Sequence, residues 1–97
     1  MITKFTENSF DYYRSESDKK PVAHIGFSLL DNSQTYLVEH TWVDENARGT
    51  GLAGKITKDF LAKVTEESKK VIPLCPYTKK FFENHAEYQH LLKEENN

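Results

Sequence analysis

Ninety-seven residues suffice for one modest hydrophobic core and not for two, so the chain is expected to fold as a single domain over residues 1–97. Thirteen basic and 15 acidic residues are interspersed for a formal charge of −2, which offers no positive field to nucleic acid or to an anionic membrane; any phosphate must be bound by a local device. Cys75 is the single cysteine, which excludes an internal disulfide, and neither an apolar leader after Met1-Ile2-Thr3-Lys4 nor a run near the roughly 20 apolar residues of a membrane span occurs.

In chain order, Ser9 to Arg14 reads as the first strand, carrying Phe10, Tyr12 and Tyr13 after the break at Asn8-Ser9. The polar Ser15 to Pro21 segment has the composition of an exposed connection. Val22 to Leu30 alternates, with Ala23, Ile25, Phe27 and Leu29 on one face and His24, Gly26 and Ser28 on the other, so it predicts a half-buried strand. Asp31-Asn32-Ser33-Gln34 is a strong turn signal, which makes the next segment, Thr35 to Val43, the second arm of an antiparallel hairpin. There Tyr36, Val38, His40 and Trp42 alternate with Leu37, Glu39, Thr41 and Val43; two largely apolar faces predict a central strand covered on both sides.

After a glycine-dense bend, Leu52, Ile56, Phe60 and Val64 recur every four positions, and with Leu61 they form the buried stripe of a helix running to about Lys69. Lys55, Lys58, Asp59, Lys63, Glu66 and Glu67 form its solvated side, with Lys55 nearest the bend. Val71 to Cys75 is a short apolar strand, and the strand-helix-strand order places it parallel to Thr35–Val43 in a right-handed unit. Pro76 stops it, Tyr77 to Asn84 reads as a helix, Glu87 to Lys93 as a further turn or two, and Glu94-Glu95-Asn96-Asn97 as a frayed tail.

The informative stretch is the bend itself, Val43-Asp44-Glu45-Asn46-Ala47-Arg48-Gly49-Thr50-Gly51-Leu52-Ala53-Gly54. The first amides of a helix have no intrahelical partner and carry the positive end of its dipole, which makes this junction an anion site. Gly49, Gly51 and Gly54 remove the Cβ atoms that would hold a phosphate away, and Arg48 adds a forked cation at the rim. Two other phosphate loops fit less well. Gly49 to Gly54 followed by Lys55 has Walker A spacing, but Ile56 stands where the magnesium-binding hydroxyl belongs. Gly49-Thr50-Gly51-Leu52-Ala53-Gly54 spells a dinucleotide fingerprint, but the acidic residue expected about 20 positions on is absent and the chain is too short for a two-half frame.

Arg48-Gly49-Thr50-Gly51-Leu52-Ala53 resembles the (Gln/Arg)-x-x-Gly-x-(Gly/Ala) signature of the GNAT N-acetyltransferase superfamily, set between a central strand and a long helix. With His40-Thr41-Trp42-Val43, Ile72-Pro73-Leu74-Cys75-Pro76-Tyr77 and Asn84-His85-Ala86-Glu87-Tyr88, the chain from Pro21 onward resembles a compact GNAT-like subgroup. The resemblance implies an α+β fold, a mixed and mostly antiparallel sheet with one central parallel strand pair and helices packed on it. It implies acetyl-CoA as cosubstrate, its pyrophosphate on the amides of Gly49, Thr50, Gly51, Leu52 and Ala53 beside Arg48, its pantetheine arm along the backbone of Thr41 and Val43, and a strand N–H near Trp42 polarising the thioester carbonyl.

Transfer to an amine needs a base and a proton for the departing thiolate. His40 and Glu39 are candidate bases, expected on opposite faces, and Tyr77 is the candidate acid. Cys75, just before a helix start, is either an acyl-accepting nucleophile or a small buried hydrophobe. Lys80, with Lys79, is either a contact to a CoA phosphate or part of a solvated lysine pair, whereas His24, His85 and His90 show no metal-ligand spacing. The expectation is therefore a cytoplasmic acetyl-CoA-dependent N-acetyltransferase with an unidentified amine acceptor, no metal, no nucleic-acid or membrane partner, and a monomeric or weakly homodimeric state. The alternative is a non-catalytic acyl-CoA-binding or interaction module, since a short chain leaves little protein for an acceptor pocket.

Overall fold

The computed structural model describes residues 1–94, so the expected tail lies outside the described residues from Glu95 on. Five strands run in sequence order across one sheet: β1 (Ile2–Phe5), β2 (Ser9–Tyr13), β3 (Ala23–Leu30), β4 (Thr35–Val43) and β5 (Lys70–Pro73). The first four form an antiparallel meander, and β5 pairs parallel to β4 after the crossover helix α1 (Leu52–Glu66). A second helix, α2 (Pro76–Asn84), and a 3-10 segment at Ala86–Leu91 complete the fold, with Leu92 bridging to Val71. The α+β architecture, the β3–β4 hairpin and the parallel β4/β5 pair match the expectation from the sequence.

Three local readings need correction. An edge strand, β1, precedes the first expected strand; its residues are mostly exposed, so it lacks the alternation that marks a half-buried strand. The strand expected to reach Cys75 ends at Pro73, because Pro76 occupies the first turn of α2 and Cys75 becomes its N-cap. In β4 the expected alternation breaks at Glu39. Phe27 pairs with Val38 but the next residue back, Gly26, pairs with His40, so Glu39 is an inserted bulge residue. One extra residue flips everything beyond it to the other face. Tyr36 and Val38 therefore share the inner face with Thr41 and Val43, while Leu37, His40 and Trp42 share the outer face. That outer face is not covered as expected: His40 and Trp42 are exposed and Leu37 is half-buried.

The core lies on the inner face, where α1 packs against β2, β3, β4 and β5. Leu52, Ile56, Phe60, Leu61 and Val64, the predicted stripe, are all buried. Phe60 sits at the centre of an aromatic cluster, with ring centroids 6.4 Å from Phe5, 6.1 Å from Phe10, 5.7 Å from Phe27 and 5.2 Å from Tyr36. Two tyrosines tie sheet to helix through their hydroxyls: Tyr12 to the Asp59 carboxylate, and Tyr36 to Glu67 at 2.5 Å. Burial, then the hydrogen-bonded carboxylate, raises both phenols above the ordinary tyrosine range, so both stay protonated donors. Among the expected solvated side chains of α1, Lys55 lies over the Tyr12 ring and within 3.4 Å of Asp59.

Phe60→Ala removes the ring that all four aromatics share and is expected to cost about 3–5 kcal/mol of stability, measured by urea denaturation. Phe5→Ala is expected to cost clearly less, because that ring is 37% exposed at the edge of the cluster.

Candidate functional site

The site begins where two strands part. The β4/β5 ladder runs from Thr35↔Lys70 to Val38↔Pro73 and stops. There the Val38 carbonyl accepts two amides, Leu74 N–H at 2.9 Å and Cys75 N–H at 3.0 Å, as the chain turns away into α2. β4 continues for five residues, Glu39 to Val43, paired only with β3. The result is a wedge-shaped gap between parallel strands, opening toward the glycine bend.

At the bend, Asp44 leads into a 3-10 turn at Glu45–Ala47, and the chain enters α1 through two residues with left-handed backbone, Gly49 at φ 83° and Gly51 at φ 81°. Only glycine adopts that region without penalty, which explains both positions. Gly51 caps α1 and has no side chain to satisfy the helix start. The first amide of this stretch to find a backbone partner is that of Lys55, on the Gly51 carbonyl at 3.0 Å; among the described residues, those from Gly49 to Gly54 donate to none. The stretch lines a pocket of about 320 Å³ formed by Val43, Ala47, Arg48, Gly49, Gly51, Leu52, Ala53, Gly54 and Tyr77. Arg48 folds back, its Nε donating to the Val43 carbonyl at 3.0 Å, so the guanidinium is held at the rim. Thr50 turns its hydroxyl to the Ala47 carbonyl at 2.5 Å and does not line the pocket.

Cys75 and Tyr77 meet at the inner side of the gap. Cys75 is buried, and its thiol donates to the Thr41 hydroxyl at 3.6 Å across the two strands. Burial pushes the thiol up, but the Thr78 amide, the hydroxyls of Thr41 and Thr78 and the Tyr77 amide together outweigh it, and the net direction is down from an ordinary thiol. Tyr77 is held above the usual phenol range, chiefly by burial and also by the neighbouring Cys75, against a hydrogen bond with Thr57. A Cβ on Gly54 would lie 3.8 Å from its hydroxyl, so α2 touches the mouth of α1 there.

The other candidates expected from the sequence fall elsewhere. Lys80 lines a neighbouring apolar pocket with Pro76, Tyr77, Phe81, Asn84 and His85, on the far side of Tyr77 from the bend. The Trp42 side chain lines a separate groove with Arg14, Asp18, Lys19, Lys20, Pro21, Val22 and Asp44, so only its backbone faces the gap. His40 lies on the outer face, away from Cys75, against His24 at 2.9 Å. Sequence reasoning passed over Thr41 as a side chain, Thr57, Thr78 and Asp11, and weighed His24 only as a metal ligand. A hydroxyl three residues after Cys75, at the start of a helix, is a signal that local reading could have used for Thr78. The His24 contact depends on the bulge and had no local signal. Among the described residues, no group of three His, Cys, Asp or Glu side chains converges as metal ligands, and no helix is long and apolar enough to cross a membrane.

Residues 10–91 match the family model of the GCN5-related N-acetyl-transferases. The solution structure of a GCN5-like protein from Staphylococcus aureus superposes with a TM-score of 0.71 at 23% identity, covering 99% of this chain and 91% of that one. The likeness extends to the whole fold, including the meander, the crossover helix and the parallel pair. No curated protein matches the sequence.

Alkylation of Cys75 by iodoacetamide across pH is expected to show a midpoint below the roughly 8.5 of a free thiol. Thr41→Val, which deletes one hydroxyl donor to the thiolate, is expected to move that midpoint upward with the far-UV circular dichroism unchanged.

Proposed function

This chain belongs to the GCN5-related N-acetyltransferase family, and from that premise we propose that it moves an acetyl group from acetyl-CoA to an amine. The observation that carries the proposal is the glycine pocket itself, whose lining joins the bend to Val43, the last residue of β4, and to Tyr77 of α2. Unpartnered amides from Gly49 to Gly54 suit a diphosphate, and Arg48 at the rim adds a donor fork. The gap beyond Val38 exposes strand backbone on one side of Thr41, Trp42 and Val43, a linear set of donors and acceptors suited to an extended amide-containing arm. Its inner end is Cys75. In this reading Lys80, which lines the neighbouring pocket with Tyr77, meets a more distant phosphate of the cosubstrate.

Cys75 acts in this reading as the acyl carrier. Its sulfur attacks the thioester carbonyl carbon, a new C–S bond forms, the bond to the CoA sulfur breaks, and the thiol proton ends on CoA. In this reading the amides that draw the Cys75 thiol down, those of Tyr77 and Thr78, also stabilise negative charge on the oxygen as it develops. Tyr77, kept protonated, hydrogen-bonds the departing sulfur. An amine then attacks the S-acetyl group and regenerates the thiol.

Isothermal titration with acetyl-CoA is expected to show binding to the wild type and a loss of at least about tenfold, or ~1.4 kcal/mol, for Gly51→Val, because a β-branched residue is strained at φ 81° and relief of that strain moves the helix start. Absence of acetyl-CoA binding to the wild type removes the proposal. Mass spectrometry after brief incubation with acetyl-CoA is expected to find one acetyl group on Cys75 and none in Cys75→Ala. Turnover with amines by Cys75→Ala at the wild-type rate instead assigns direct transfer, and binding without turnover for any amine favours the acyl-CoA-binding module.

A further inference from the structure

The outer face of the sheet carries a hydrogen-bonded chain that neither the glycine pocket nor Cys75 uses. It starts at the β1–β2 turn, where the hydroxyls of Thr6 and Ser9 lie 2.8 Å apart. Ser9 donates to Oδ2 of Asp11 at 2.8 Å, and Nδ1 of His24 lies 2.5 Å from Oδ1 of the same carboxylate. Nε2 of His24 then lies 2.9 Å from Nε2 of His40, with the two rings near-parallel at a centroid distance of 5.0 Å. Asp11 is 6% exposed, so both oxygens of a buried carboxylate are satisfied by this chain, while His40 at its other end is open to solvent.

The arrangement has a fixed polarity. An ionised Asp11 takes Nδ1–H of His24, which leaves the lone pair of His24 on Nε2. The facing nitrogen of His40 must then be the donor, so the unoccupied lone pair of His40 is on Nδ1, and no described hydrogen bond involves that atom. When Nδ1 takes a proton, the resulting imidazolium already donates through Nε2 toward a neutral imidazole backed by a carboxylate. The fold makes room for this ring: a Cβ on Gly26 would collide with the His40 imidazole, so any larger residue there displaces it.

Position gives the chain its meaning. His40 is the first residue past the bulge, two after Val38, where β5 leaves the sheet. Thr41, the next residue, points inward to Cys75 at 3.6 Å. The mouth of the strand gap is thus flanked by sulfur on one face and an imidazole on the other.

We propose that Asp11 and His24 are positioning residues that hold His40 as the base for a primary amine approaching from the outer face of the sheet, a reading that rests on the acetyl transfer proposed above. The amine arrives as its ammonium, and Nδ1 of His40 takes one proton. The freed nitrogen attacks the acyl carbon held in the gap, and a C–N bond forms. The C–S bond breaks with its electron pair on sulfur, the extra proton on nitrogen passes to that sulfur to give a thiol, and His40 releases its proton to water. One ammonium and one thioester yield one amide, one thiol and one proton.

Two measurements on the full chain test this. Long-range ¹H–¹⁵N spectra of the imidazoles are expected to report Nδ1–H on His24 and Nε2–H on His40, with the His40 pattern lost in His24→Ala and in Gly26→Ala; a His40 tautomer indifferent to both substitutions overturns the chain whether or not acetyl-CoA binds. In steady-state CoA release with benzylamine and other primary amines, His24→Ala and Asp11→Asn are expected to lower kcat by about 10²-fold with the KM for acetyl-CoA unchanged, and His24→Gln, whose amide oxygen can accept from His40, is expected to recover part of it. Unchanged kcat in His24→Ala, or a wild type that turns over no primary amine, overturns the role for the amine. Intact acetyl-CoA binding and Cys75 acetylation in the same samples show that the cosubstrate reading survives that failure.

Discussion

One carbonyl oxygen organises this molecule. The Val38 carbonyl receives the amides of both Leu74 and Cys75, so the parallel ladder between β4 and β5 closes there and goes no further. Neither strand could diverge earlier without leaving buried backbone unpaired, and neither could stay paired longer because Pro76 begins α2 immediately beyond. The backbone of β4 from Glu39 onward is consequently available to a ligand along one edge while still anchored to β3 along the other. An exposed strand edge is ordinarily a liability. Here it is short and lies between two helix N-termini, those of α1 and α2.

The bulge at Glu39 adds the second constraint. By shifting the register of β4 against β3 by one residue, it separates a strand half that serves the core from a half that serves the site. Before it, Tyr36 and Val38 are fully buried under α1. After it, Thr41 reaches Cys75 from the inner face and His40 and Trp42 turn outward. A strand without the bulge would have placed His40 in the core beside Val38, where an imidazole needs a buried partner, and would have turned Thr41 away from the sulfur.

A small sheet protein that leaves part of its central strand unpaired needs rigidity elsewhere, and the aromatic cluster around Phe60 supplies it. Phe5, Phe10, Phe27 and Tyr36 converge on that one ring of α1 from four different strands. The hydroxyls of Tyr12 and Tyr36, each bonded to a carboxylate at the same helix, add direction to an otherwise nondirectional contact. Together they fix the azimuth and height of α1, and with them the position of the amides at its start.

The hairpin turn at Asp31 to Gln34, the apolar stripe of α1 and the glycine bend were legible in the amino-acid order, since each depends on residues near one another in the chain, and the parallel return of β5 followed from the strand-helix-strand order. So was the family likeness carried by Arg48 to Ala53. The bulge was not legible, because Glu39 is unremarkable in its local sequence and becomes an inserted residue only through its pairing with β3. The edge strand β1 was likewise hidden: it is mostly exposed and lacks alternation, and Phe5 gains its aromatic neighbours, Phe10, Phe27, Tyr36 and Phe60, only once β1 to β4 and α1 come together. Cys75 and Tyr77 could be nominated from sequence, but whether the thiol lies among hydroxyls or among methyl groups was decided by Thr41, 34 positions away. The meeting of Asp11, His24 and His40 required three strands in one particular register. Periodicity and turn chemistry act over a few residues and are written in the chain; register, face and the neighbours of a titratable group arise from pairings between distant segments, and those only the folded sheet could decide.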